Sequence, residues 1–345
     1  MELWKKLKTA DKPIVLYGMG NGADRILDVM EARGIKVSGV FASDGFVRHQ
    51  QFRGFTVGSY EELKDRFGDM IVLVCFGTHR PEVLANIKRI MKEQEVYAPD
   101  VPVAGETIFD EAFVKQHYFE FTKVYEMLSD EQSRLVYKNI LRSKLTGEIP
   151  PLFECETQPE EAWGLLGLSD EECYLDLGAF TGDTVQRFID FTGGKYQKIT
   201  AVEPDLKNFK KLLNNTEDLP NIRCFHGCAD ENSGERLYAM EGGRKSHVLQ
   251  RGGIAIPSIT VDDLLAGEPV SFIKMDVEGM EAAVLRGAAG SIRKCRPSLQ
   301  VAAYHRSEDL FALPLLLESI QPGAKLYLRH FSCLPAWDTD FYFKF

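Results

Sequence analysis

Cys173-Tyr-Leu-Asp-Leu-Gly-Ala-Phe-Thr-Gly-Asp-Thr184 decides how this chain is read. Tyr174, Leu175 and Leu177 mark a buried strand that ends beside a carboxylate, Asp176. The chain then turns through Gly178 and Gly182 and enters a helix with Thr184, Val185, Phe188 and Ile189 on its apolar face. Glycines in such a turn allow backbone angles closed to other residues and let a ligand lie against the main chain. The helix that follows aims its partly positive N-terminus at that place. Alone, the Asp-x-Gly-x-x-x-Gly spacing also fits an ordinary tight strand-to-helix turn.

Elements alternate outward from this turn. Lys198–Glu203, Ile222–His226, Val270–Asp276, Leu299–Tyr304 and Lys325–His330 read as further strands, and Asp340–Phe345 returns as a last edge strand. Helices fall between them, one through Leu213 and one over Glu278–Gly287, where Glu278 is placed to start its helix. Strands alternating with helices predict a parallel sheet whose ligands sit at the carboxyl ends of the strands. Asp176, Glu203, Asp230, Asp276, His305 and His330 all fall at or just past those ends. One polar loop residue means little, but six ionisable groups on one rim point to a site.

The positions suggest roles. Glu203, after the second strand, can accept hydrogen bonds from both hydroxyls of a ribose, with Pro204 beside it. Asp230, after the third, can accept from an adenine amino group. Asp176, Thr184 and the Gly178-Ala179-Phe180 to Gly182 backbone can hold the middle of the ligand. Acidic rather than phosphate-binding character favours a cationic cofactor such as S-adenosylmethionine over NAD. Asp276 and His305 are the expected catalytic pair, since an imidazole with a pKa of about 6.5 suits proton transfer near neutrality. Asp276 can instead bind the cofactor by orienting its amino group, or orient the substrate, and with Glu278 it can hold Mg²⁺, whose hard oxygen ligands match two carboxylates; the sequence assigns no metal ligand. His330 is read as substrate-facing or structural.

The second half resembles the FkbM-type S-adenosylmethionine-dependent methyltransferases. The resemblance rests on Asp176-Leu-Gly-Ala-Phe-Thr-Gly182, Val202-Glu-Pro204, Thr260-Val-Asp-Asp-Leu-Leu265, Phe272-Ile-Lys-Met-Asp-Val-Glu-Gly279, Leu285-Arg-Gly-Ala288, Tyr304-His-Arg306 and Leu328-Arg-His330. It implies a class I methyltransferase fold, seven strands with the last antiparallel, and O-methylation of a hydroxylated metabolite or sugar. The family's turn often carries Asn where this chain has Phe180, so only backbone contacts carry over there. A non-catalytic S-adenosylmethionine-binding protein, with Phe180 as its lesion, is the alternative within this reading.

The first hundred residues form a second α/β unit. Pro13–Gly18 reads as a strand, Gly18-Met-Gly-Asn-Gly22 as a turn, and Ile26, Leu27, Val29 and Met30 as the inner face of a helix. A second strand, Val37–Phe41, is followed by Asp44, and this resembles the dinucleotide-binding fingerprint. A helix at Tyr60–Phe67, a strand at Met70–Phe76 and a helix at Pro81–Lys92 complete a small doubly wound sheet. An NAD-dependent oxidoreductase using this unit is the competing functional class, and the unit's own ligand stays open. The expected organisation is a Rossmann-like domain over residues 1–100, a helical connector over 101–160 and a methyltransferase domain over 161–345. In the connector, aromatic residues at helical spacing over Ile108–Leu128 read as core, as a homodimer contact or as a wall of the substrate pocket. Ser129-Asp-Glu-Gln132 has the capping-box form that opens a helix through Leu145, ended by Gly147, and Pro150, Pro151 and Pro159 mark a loop.

Composition narrows the partners. A net charge of −10 argues against nucleic acid, whose binding rests on clustered Lys and Arg. No apolar run approaches the roughly 20 residues of a membrane span, and the opening residues lack a signal-peptide core. Seven cysteines without a Cys-x-x-Cys pair fit free thiols in a reducing cytoplasm. Gly242–Gly253, with Arg244, Lys245, His247 and Arg251, is a basic insertion that reads either as a lid over an anionic substrate or as a solvated hairpin.

Overall fold

The computed structural model describes residues 1–238, the backbone of 248–249, and residues 253–345. The lid reading therefore lies outside the described residues, because Arg244, Lys245, His247 and Arg251 are not among them. The N-terminal sheet contains β1 (Ile14–Tyr17), β2 (Gly39–Phe41), β5 (Ile71–Val74) and β6 (Glu95–Tyr97); β3 (Gln51–Phe52) and β4 (Phe55–Thr56) pair as a separate hairpin. The order β2-β1-β5-β6 is parallel throughout. Gly22 is required by packing: a Cβ there would stand 2.3 Å from the Cys75 carbonyl oxygen, so the helix Asn21–Ala32 can lie close on the sheet. Gly18, at φ +118°, makes the turn itself.

The C-terminal sheet begins with β7 (Cys173–Leu177), β8 (Lys198–Glu203) and β9 (Ile222–His226). A second, four-stranded sheet unforeseen from the sequence follows: β10 (Cys228–Ala229), β11 (Gly234–Tyr238), β12 (Val248–Leu249) and β13 (Ile254–Ile259). The main sheet resumes with β14 (Phe272–Met275), β15 (Ser298–Ala302), β16 (Lys325–His330) and β17 (Thr339–Lys344), giving seven strands in the order β16-β17-β15-β14-β7-β8-β9. β17 runs antiparallel to both neighbours and lies between them, so it is an inner strand and not the edge strand expected. Its burial explains this: five of its six residues, Thr339 to Tyr342 and Phe343, are buried.

Side-chain alternation covers both faces of this sheet. Tyr174, Ile199, Phe272 and Tyr342 face a layer containing Trp163 and Phe188. Leu175, Ile273, Leu299 and Val301 face the opposite layer, in one continuous core with Tyr17, Val72, Phe121 and Ile140. That core joins residues of both sheets and of the intervening helices.

The helices between the sheets correct three expectations. Ile108–Leu128 holds two helices, Glu111–Gln116 and Tyr118–Met127, divided at His117. The next helix, Glu131–Thr146, is capped by Asp130 and not by Ser129: Asp130 Oδ1 accepts from the Ser133 amide at 2.7 Å. Ser129 is engaged elsewhere, since its hydroxyl accepts from the Leu326 amide at 3.0 Å and its own amide donates to the Leu326 carbonyl at 2.8 Å. The prolines open helices instead of marking a loop, at Pro150–Glu154 and Pro159–Leu166, where a missing amide hydrogen costs nothing in the first turn. Ser133 Oγ accepts from Leu328 N, and the Thr157 amide donates to the His330 carbonyl, so these segments cover the outer side of β16. The buried Arg329 guanidinium fastens them, bonding Asp130 and Ser133.

Candidate active site

One cavity of about 350 Å³ opens at the carboxyl ends of β7, β8 and β14. Such a place is where an open parallel sheet presents its ligand site. Of the residues singled out in the sequence, Gly178, Phe180, Thr184, Glu203, Pro204, Asp276 and His305 line it. Asp176, Ala179, Gly182 and Asp230 do not.

Asp176 is fully buried beneath the turn. It pairs in register with Lys274 of the neighbouring strand, whose Nζ stands 3.1 Å from Oδ1, and the Thr184 hydroxyl bonds its other oxygen. Lys274 Nζ also donates to the Gly178 carbonyl at 2.8 Å. Burial opposes charge on this lysine, but Asp176, and less strongly Asp276, outweigh it and hold the pKa above the ordinary value. The pair thus supports the turn from below. Gly178 has φ +81°, and a Cβ there would meet the Asp276 carbonyl oxygen at 1.9 Å. No other residue fits.

Phe180 takes the left-handed φ of +49°, a region where Asn is at ease and a bulky side chain is strained. Its amide donates to Glu203 Oε2 at 2.9 Å, while the Asp205 amide donates to Oε1 at 2.9 Å. Glu203 is only 5% exposed. Burial pushes its pKa up to about 7, and these two amides pull the other way. Asp205 itself caps the helix Leu206–Thr216 through the amides of Lys207 and Asn208.

Asp230 departs from its expected role. Its carboxylate bonds Arg236 and accepts from the Glu231 amide at 2.7 Å. β10 turns the chain toward β13 before this residue, so Ala229 reaches the cavity and Asp230 faces the small sheet. His330 is fully buried, with Nδ1 2.9 Å from Thr339 Oγ1, and burial lowers its pKa to about 4. It is structural.

The turn after β14 departs further from expectation. Glu278 does not start the helix: it sits at φ +53°, Gly279 follows at φ +91°, and the helix runs Glu281–Gly287. Glu281 Oε1 accepts from the amides of Val277 and Gly279 at 3.0 and 3.4 Å, closing the turn. Glu281 escaped the sequence reading, although it stands within the Asp-Val-Glu-Gly-Met-Glu string.

His305 is held by this turn. Nδ1 lies 3.0 Å from Glu281 Oε1, and Nε2 lies 3.4 Å from Asp276 Oδ1 and 3.6 Å from Glu278 Oε2. Burial drives its pKa down, but Glu281, Asp276 and Glu278 together win and lift it to about 10. These carboxylates favour the protonated imidazole over the neutral form expected of a base. The Tyr304 hydroxyl donates to Asp276 Oδ1 at 3.1 Å and leaves the carboxylate as the acceptor that faces the cavity.

The N-terminal unit supplies part of the wall. Gly77, Thr78, His79 and Arg80 line the cavity together with Trp337 and Asp338. Thr78 and Leu334 exchange backbone hydrogen bonds of 2.8 and 2.9 Å, joining the two segments. Trp337 packs so close that a Cβ on Gly77 would lie 2.0 Å from its ring. Residues so far apart in sequence give no local signal of this meeting.

No curated protein matches the chain. The solved structure of methyltransferase FkbM from Methylobacillus flagellatus KT is similar in fold, with 24% identity over 96% of this chain and 90% of that one and a TM-score of 0.73. Aeropyrum pernix fibrillarin, solved with S-adenosyl-L-methionine, overlaps 53% of this chain and 73% of its own, at 16% identity and a TM-score of 0.34. Residues 176–321 match the profile of the methyltransferase FkbM domain, and that span holds the β7 turn, Glu203, Asp276, Glu281 and His305. It is thus residues 176–321 of this chain that are similar to the methyltransferase FkbM domain.

Proposed function

We propose that the cavity binds S-adenosylmethionine and transfers its methyl group to a hydroxyl of a small metabolite or sugar derivative. The observation that carries this reading is the convergence of Glu203, the Gly178–Phe180 backbone and Asp276 on one cavity at three neighbouring strand ends. Glu203, anchored by two amides, presents a carboxylate to ribose hydroxyls; Gly178 lets the β7 turn lie against the Asp276 carbonyl, bringing the two strand ends together. The acidic lining suits a sulfonium better than a pyrophosphate.

In the transfer, the acceptor oxygen forms a bond to the methyl carbon as the carbon–sulfur bond breaks, leaving a neutral thioether. The hydroxyl proton passes to Asp276, the catalytic residue in this reading. The His305 imidazolium beside it, oriented by Glu281, offsets the negative charge of the cluster. The wall from Gly77 to Arg80 faces the acceptor.

Calorimetry with S-adenosylmethionine, S-adenosylhomocysteine and NAD tests the cofactor. Binding of the first two and not the third is expected, with loss of at least tenfold in affinity for Glu203→Ala. Transfer of labelled methyl to a hydroxylated acceptor pool tests the chemistry. A chain that binds NAD alone would overturn the reading.

A further inference from the structure

Beneath the cavity, four acidic groups crowd one histidine. Asp276, Glu278 and Glu281 stand within 3.0 to 3.6 Å of the His305 ring nitrogens. Asp309 is buried nearby, its carboxylate accepting from the Arg306 amide at 2.7 Å. Two of these carboxylates, Glu281 and Asp309, are almost wholly buried, where a carboxylate needs a close partner.

Two details distinguish it from an ordinary ion-pair network. First, ligand atoms of Asp276, Glu281 and His305 all fall within 4.8 Å of one another. Atoms bound to one ion at about 2.1 Å are separated by up to about 4.2 Å, so small side-chain movements bring all three onto a common sphere. Second, Glu281 Oε2 and His305 Nδ1 have no hydrogen-bond partner among the described residues, although both side chains are only 1% exposed. Nδ1 and Glu281 Oε1 approach to 3.0 Å without hydrogen-bond alignment. Neighbouring ligands of one ion lie side by side at about that spacing, whereas a donor and an acceptor point at each other. The capping role of Glu281 accounts for Oε1, which holds the Val277 and Gly279 amides; it does not account for Oε2.

We propose that Asp276, Glu281 and His305 form a binding site for one divalent transition metal ion at the floor of the cavity, with Glu278 at its rim and the ion displacing the His305 ring proton to solvent. One imidazole and two carboxylates make a mixed nitrogen–oxygen donor set, which suits Mn²⁺ or Zn²⁺ better than Mg²⁺ or Ca²⁺, whose ligands are oxygen. The left-handed backbone at Glu278 and Gly279 is the local strain that folds Glu281 back under His305. Ala104 seals the loop from outside, its amide donating to the His305 carbonyl at 2.8 Å. The site does not depend on the methyl-transfer reading, because its ligands are defined without any cofactor.

The test uses the full chain, stripped with chelator, without S-adenosylmethionine. Mn²⁺, Zn²⁺ and Mg²⁺ are titrated separately by calorimetry, and Mn²⁺ also by loss of its free-ion electron paramagnetic resonance signal. One equivalent of Mn²⁺ or Zn²⁺ is expected to bind and to raise the thermal midpoint. Glu281→Gln and His305→Gln are expected to weaken that binding at least tenfold. Asp276→Asn serves where those variants fail to fold, since the Asp276 side chain is 38% exposed and not part of the core; its affinity should fall by a similar factor. Absence of binding to the wild type, equal binding in Asp276→Asn, or binding of Mg²⁺ alone would each overturn the proposal.

Discussion

Lys274 and Asp176 face each other across neighbouring strands, 3.1 Å apart and almost wholly shut off from water. Removing one member of such a pair leaves an uncompensated charge in the interior. Lys274→Met is expected to destabilise the chain by about 3 kcal/mol or more, read as a shift in the urea midpoint. Adding Asp176→Asn should recover part of the loss, because the stranded carboxylate is gone. A double variant as unstable as the sum of the two singles would show that the pair is not coupled.

Gly178 permits no side chain. With φ at +81° and the Asp276 carbonyl 1.9 Å from a would-be Cβ, Gly178→Ala must push β7 and β14 apart at their carboxyl ends. Binding of S-adenosylhomocysteine should fall at least a hundredfold, while Gly193→Ala, an equally left-handed glycine with open space around it, should leave binding unchanged. Equal effects of the two substitutions would contradict this account of the turn.

Glu203 sets a pH dependence. Burial raises its pKa from 4.5 to about 7, so it is mostly neutral at pH 6 and mostly ionised at pH 8. Hydroxyls that donate to it favour the ionised form, and affinity for S-adenosylhomocysteine should rise by up to about tenfold over that interval. In Glu203→Gln the rise should vanish. For the free chain the sign is opposite: a carboxyl whose folded pKa is raised stabilises the fold below 4.5, and that contribution is lost as pH climbs through about 7. Titration calorimetry at the two pH values decides; a slope surviving in Glu203→Gln assigns it to another group.

Gly77 tests the shared wall. Gly77→Val must displace the Trp337 ring, now 2.0 Å from where Cβ would be. If the N-terminal unit shapes the acceptor side, acceptor KM rises at least several-fold while S-adenosylhomocysteine affinity stays within twofold. A change confined to cofactor affinity would place the acceptor elsewhere.

Much of the frame was legible because it is written in local periodicity. The strands Ile222–His226 and Lys325–His330 and the helix Tyr60–Phe67 follow the bounds read from the sequence, each set by a short apolar pattern and a clear stop. Other features depend on what a residue meets in space. Ser129 fits a capping box locally, but Leu326 claims it and Asp130 caps instead. The small sheet over residues 228–259 escaped notice because β11 is largely exposed, Gly234 to Leu237, and carries no apolar alternation. Of the site, the carboxylates at the strand ends were legible from topology alone. The contact of His305 with Glu281 was not, since Glu281 is a residue whose inward turn is set by two left-handed angles before it.

The covering of β16 bears on how the chain can be divided. Ser129, Ser133 and Thr157 occupy hydrogen-bonding groups along its outer side, and Arg329 clamps the cover through Asp130. A fragment starting at residue 161 would bare that six-residue margin. Unpaired strand margins recruit copies of themselves, so such a fragment would be prone to self-association, however complete its catalytic half. The segment before residue 161 serves as a guard against aggregation as well as a bridge between two sheets.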